Sequence, residues 1–134
     1  MDGAVPKKPI ISPNSVGRTG EFLVMSKLEY AGSHCVHSDA TGDDIWVRLD
    51  DGNIRRVQVK SAHLIVPRGR KKAIYKFMTP KAAERPDFYA FVAIEPQAIL
   101  FRADVMVKSV TTRIYPDEFT EAAERETMLE VLSK

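Results

Sequence analysis

Glu21, Asp44, Gln58 and Lys60 are the residues whose types and spacing could do chemistry. Glu21 lies three, four and seven residues before Val24, Met25 and Leu28, so on a helix it shares the apolar stripe that faces a core. A carboxylate there is costly without a partner, and a metal ion or a lysine is the usual one. The plainer alternative is a residue in the first helical turn or at the edge of the stripe, where the helix dipole tolerates an acid. In Val57-Gln58-Val59-Lys60, strand alternation puts Gln58 and Lys60 on one face and the valines on the other. The preceding strand alternates too, and the turn between the two decides whether Asp44 joins them. A two-residue turn at Asp51-Gly52 pairs Asp44 with Val59. A three-residue turn, Asp50-Asp51-Gly52 with Gly52 left-handed, pairs Leu49 with Asn53 and Asp44 with Gln58. Only the second gathers the polar groups, and it is the one expected.

With that register Asp44, Gln58 and Lys60 converge and Glu21 reaches them from the neighbouring helix. Carboxylates with an amide oxygen suit a hard cation, magnesium or manganese. Such an ion activates water and neutralises charge on a phosphodiester. A lysine beside it orients the attacking water or stabilises the transition state. The competing reading is an exposed hairpin with charges on its solvent face.

The elements that must position these residues follow from local pattern. Met1 to Asn14, with Pro6, Pro9 and Pro13, reads as a flexible or extended arm, leaving 15–134 as a single domain. A helix is expected from a Ser15 cap to Ala31, with Gly32 as its stop. Strands are expected at 34–38, 44–49, 54–62, 73–78 and 88–94, with a last one at 98–102. Pro116 to Leu132 reads as a final helix whose apolar side is Phe119, Ala122, Leu129 and Leu132. It closes the core or builds a dimer interface. The order implies an α/β fold with a central mixed sheet flanked by helices.

Three pieces match one family in order and spacing. Gly17-Arg18-Thr19-Gly20-Glu21 ahead of an apolar helix, Asp44 directly before Ile45, and Gln58-Val59-Lys60-Ser61 together resemble the PD-(D/E)XK nuclease superfamily. The resemblance is to its small Holliday-junction-resolvase-like members. It implies a restriction-endonuclease-like core, a homodimer, and metal-dependent DNA cleavage, with branched junctions as substrate. By that resemblance Asp44 is the bridging metal ligand, Glu21 and Gln58 are further ligands of Mg2+ or Mn2+, and Lys60 is the catalytic lysine. Gln58 departs from the commoner glutamate and leaves the site one negative charge short. Asp43 adjoins Asp44 and takes its place if the strand starts earlier.

Arg68, Arg70, Lys71 and Lys72 form the sharpest local charge excess and are candidate DNA contacts, as are Arg18 and Ser61. A solvated loop explains the basic run equally simply. His34, Cys35 and His37 do not complete a zinc pattern, since no paired cysteines supply the rest of a tetrahedral site. His63 reads as a strand-end residue. Trp46 reads as packed under the first helix, and Phe88, Tyr89 and Phe91 as core.

The 134 residues fit one domain, and a net charge of +2 announces no polyanion partner by itself. One cysteine requires no oxidising compartment, and no run suits a membrane span or signal peptide, so a cytoplasmic protein is expected. Two other readings fit the same residues. One is a non-catalytic nucleic-acid-binding module on the same fold, and the other is a regulatory interaction domain.

Overall fold

The computed structural model describes residues 12–38, 44–69, 71–80 and 85–133. The first helix, α1, spans Pro13–Tyr30 and starts two residues earlier than expected. Ser12 rather than Ser15 is its cap, accepting the Ser15 N–H at 3.1 Å. Pro13 then sits in the first turn, where its missing N–H costs nothing, so a proline counted toward an arm is a helix opener. The rest of the expected arm, 1–11, lies outside the described residues. Gly32 ends the helix as its position suggests. At φ +95° it turns the chain while its N–H reaches Glu29 O, and Ser33 N–H reaches Leu28 O.

The strands follow as β1 His34–His37, β2 Ile45–Arg48, β3 Ile54–Ala62, β4 Tyr75–Met78, β5 Phe88–Ala93, β6 Ala98–Ala103 and β7 Thr111–Ile114. Five of them form one mixed sheet in the order β1-β2-β3-β5-β6, in which only β3 and β5 run parallel. The other two, β4 and β7, pair as a separate antiparallel ribbon. The expected α/β class and central mixed sheet are present, but β6 is not the last strand. Thr111-Thr112-Arg113-Ile114 has the β-branched content of a strand and was hidden by its shortness.

The C-terminal helix, α2, covers only Glu121–Leu132. Pro116–Glu118 form a separate 3-10 turn, and Thr120 recaps the chain by accepting the Ala123 N–H at 3.0 Å. The break moves the buried side. Met128 and Val131 face the core and Leu132 packs at its margin, whereas Leu129 is 60% exposed and Ala122 faces solvent. The true inward row was masked by its polar members, because Glu124 and Thr127 turn toward β6 and accept the N–H groups of Ile99 and Phe101 at 2.9 and 3.1 Å. At the opposite end of the sheet Glu29 of α1 accepts the Cys35 N–H of β1 at 3.0 Å.

Both helices lie on one face of the sheet. Val24 and Leu28 pack there with Ile45, Val47, Val57, Ala90, Val92, Phe101, Met128 and Val131. The other face is covered over β5 and β6 by the ribbon, through Tyr75, Phe77 and Ile114 against Tyr89, Phe91 and Leu100. Phe119 joins this second cluster rather than the stripe of α2. Phe88, Tyr89 and Phe91 are core, as the sequence suggests.

α1 approaches β3 most closely at Gly20. A Cβ there would overlap Ser61 Oγ and lie 3.2 Å from Ser61 Cβ and 3.5 Å from Val59 Cγ1. Gly20→Ala is therefore expected to lower stability by about 1–3 kcal/mol despite the better helix propensity of alanine. Ser61→Ala in the same chain should restore most of that loss, since it removes the overlapping oxygen. Urea unfolding of the two variants checks this, and an unchanged midpoint for Gly20→Ala would contradict so close a contact.

Candidate active site

Asp44 stands where two strands part. The ladder between β2 and β3 runs from Arg48↔Ile54 to Ile45↔Val57, after which β3 continues to Ala62 with no further strand on that side among the described residues. The three-residue turn fixes this register. Leu49 N–H bonds Asn53 O at 2.8 Å, and Gly52 takes φ +89°, a conformation glycine adopts without a Cβ penalty. Continued by one step, the register sets Asp44 opposite Gln58, as expected. Asp44 does not extend the strand. Its N–H bonds Val57 O at 2.9 Å, and its carboxylate Oδ2 accepts the Val59 N–H at 2.8 Å, so the side chain takes the backbone position that β2 has vacated.

The gap lets groups from both faces of the sheet meet. Val59 and Ser61 point toward α1, whereas Gln58 and Lys60 point to the other face beside Tyr89 and Phe91. Glu21 thus comes from the opposite face to Lys60, yet both interact electrostatically with Asp44, as does His37. Burial is the main reason that the Asp44 carboxyl sits above its ordinary range, and the Glu21 charge pushes it the same way. The Val59 N–H, Lys60 and His37 pull against them without prevailing.

Glu21, whose side chain is only 18% exposed, has the partner its placement demands. In this structure that partner is a histidine. His37 Nε2 donates to Glu21 Oε1 at 2.8 Å. The sequence pattern offers His37 only beside Cys35 in an incomplete zinc set, and the signal for its role is its place on β1, beside the partly buried acid. The His37 ring also stacks on Phe22, and the Arg18 guanidinium lies 5.7 Å from the Phe22 ring centroid, which puts Arg18 on the rim of the same cluster. Cys35 is occupied elsewhere. Burial pushes its thiol up to about 11, with Glu29 adding to the effect, and Sγ donates to Met25 O.

Gln58 and Lys60 are both half-buried, and among the described residues the Gln58 amide has no hydrogen-bond partner. Ser61 points toward α1. Its Oγ is buried against Gly20 without a partner among the described residues, so it packs rather than meeting a phosphate. Trp46 is likewise displaced from its expected place under α1, because Ile45 and Val47 take that face. It is 39% exposed on the reverse side, in a shallow hollow with His34, Val36, Arg48 and Ile54. Arg68, Lys71 and Lys72 are exposed on a loop closed by the Ile65↔Ile74 bridge. Asp43 and Arg70 lie outside the described residues. His63 directly follows β3 and bonds Glu95 at 3.0 Å.

The donor set fits a hard cation in part. Asp44 and Glu21 are two carboxylates that interact electrostatically, and the register sets Gln58, with its neutral amide oxygen, opposite Asp44 on β3. Among the described residues no three His, Cys, Asp or Glu side chains are arranged to hold a metal ion. A magnesium ion asks for less, since it keeps several waters and takes one or two carboxylates.

No protein-family profile matches the chain, and no curated protein matches it in sequence. Among solved structures its fold is similar to that of a bacterial homing endonuclease, I-Ssp6803I, with a TM-score of 0.67 and 14% identity. The match covers 93% of this chain and 100% of that one. The shared architecture is mixed α/β, a five-stranded mixed sheet flanked by helices. No helix among the described residues is long and apolar enough to cross a membrane.

Because Asp44 holds its proton more tightly folded than unfolded, its ionisation costs stability as pH rises from the unfolded pKa through the folded one. Asp44→Asn removes that cost and keeps an oxygen for the Val59 N–H. In metal-free buffer this variant should melt about 2–5 °C higher at neutral pH, with the gain vanishing in acid. A lower melting temperature at neutral pH would show that the charge stabilises the fold.

Proposed function

We propose that the chain is a divalent-metal-dependent DNA endonuclease of the PD-(D/E)XK type, acting as a homodimer, with branched four-way junctions as its first candidate substrate. The observation that carries this reading is the Asp44 carboxylate. It is half-buried, raised in pKa, fixed by Val59 N–H, and flanked by Glu21 and Lys60 in a gap of the sheet. Perturbed carboxylates in such settings mark functional sites, and the fold is one that a homing endonuclease also uses.

Each residue has a distinct task in this reading. Asp44, with one oxygen committed to the backbone, presents a carboxylate that cannot rotate away. Glu21 adds a second charge, and His37 holds it in place by hydrogen bonding. Gln58 offers its amide oxygen. These three would hold magnesium or manganese, which when bound supplies water activation and neutralises phosphate charge. Lys60, from the other face, places an ammonium where negative charge develops on the phosphodiester. Arg18 on the rim, with Arg68, Lys71 and Lys72 farther out, supplies cations for the DNA backbone.

A second reading has its own support. Gln58 stands where an acid is commoner, and no set of three His, Cys, Asp or Glu side chains gathers among the described residues. Both features suit a nucleic-acid-binding module that keeps the fold without turnover.

Cleavage of a four-way junction, linear duplex and single strands with magnesium or manganese separates the two. The nuclease reading expects metal-dependent cleavage that falls by about 10²–10³-fold or more in Lys60→Ala. Asp44→Asn should lose cleavage while keeping its fold. DNA binding without cleavage of any substrate, equal in wild type and Lys60→Ala, would leave the binding module.

A further inference from the structure

The ribbon of β4 and β7 carries an arrangement that the catalytic residues leave unexplained. In its register Lys76 stands directly opposite Arg113, and both are exposed. Directly opposed residues have Cβ atoms about 4.5–5.5 Å apart, and like charges there weaken the pairing. Among the described residues neither cation has a carboxylate partner. Folding does not require them, because Tyr75, Phe77 and Ile114 on the inner face already anchor the ribbon to the sheet. Lys72 continues the charge at the head of the ribbon, its Nζ 5.9 Å from the Tyr115 ring centroid, and Lys108 is exposed just before β7. Two strands thus hold a repulsive pair of cations toward solvent.

We propose that the outer face of this ribbon, centred on Lys76 and Arg113 with Lys72 beside them, is a docking surface for the phosphate backbone of duplex DNA. The inference deepens the nuclease reading and takes its DNA substrate from it. A phosphate shared between the two cations converts their repulsion into attraction, and each such contact releases counterions. A two-stranded ribbon also has the width that the major groove admits. The charge complementarity favours a polyanion over an apolar partner. Among the large apolar side chains of β4 and β7 only Met78 is exposed, so an oily surface has little to hold.

The test uses the full chain, a fluorescently labelled duplex without divalent metal, and a salt titration. The double variant Lys76→Gln/Arg113→Gln should bind about 10–100-fold more weakly at low salt, with the slope of log affinity against log salt reduced by about two. Its melting temperature should hold or rise, because the repulsion is gone. Arg125→Gln on α2, away from the ribbon, should change neither quantity. An unchanged slope in the double variant overturns the proposal, as does wild-type binding to phosphatidylserine vesicles but not to duplex. Cleavage by the same proteins keeps the two readings apart. A ribbon-dependent slope without cleavage supports the docking surface and removes the nuclease. Cleavage with equal slopes in wild type and double variant removes the docking surface and leaves the nuclease.

Discussion

The hydrogen bond from Val59 N–H to the Asp44 carboxylate occupies the place where β2 would otherwise have continued. A central strand cannot leave a buried N–H unmet, and meeting it with a side chain rather than backbone is what allows the sheet to open. Everything around the candidate site depends on that substitution. The opening admits Lys60 from one face and Glu21 from the other, groups that an unbroken sheet would keep apart. It also brings a carboxylate into a half-buried setting beside another acid, a strain that burial elsewhere in the core must offset. α1 packs on one face of the sheet beside the gap, and the ribbon covers the other face over β5 and β6.

The hairpin that sets the gap was legible because its turn allows few solutions. Gly52 accepts a left-handed conformation that its neighbours resist, and only one loop length gathers the polar residues. β3 matched its expected span of 54–62 because alternation and β-branched content agreed over nine residues. Other features were hidden by ambiguous signals. Pro13 reads as a breaker until Ser12 is recognised as a cap. The inward row of α2 includes Glu124 and Thr127, which no apolar pattern reveals, since their partners are the N–H groups of a strand far away in sequence. His37 could be found only once β1 was known to lie beside α1. Ser61 looked like a polar residue near a site, and only the closeness of Gly20 shows that it is a packing residue.

The site and the ribbon show one physical pattern at two places. Glu21 beside Asp44 gathers negative charge in the gap, and Lys76 opposite Arg113 gathers positive charge on the ribbon. Neither grouping helps the isolated chain to fold. Both are tolerable because the core is apolar on each face of the sheet and large enough to absorb a local cost of this kind.

The acids that reach the outer strands have a consequence for assembly. Glu29 takes an N–H of β1, while Glu124 and Thr127 take those of β6. Helical side chains therefore guard both margins of the sheet, where a bare strand would recruit another. An incoming strand would find those backbone donors already engaged, so side chains that fasten the helices to the sheet also leave its margins less open to strand addition.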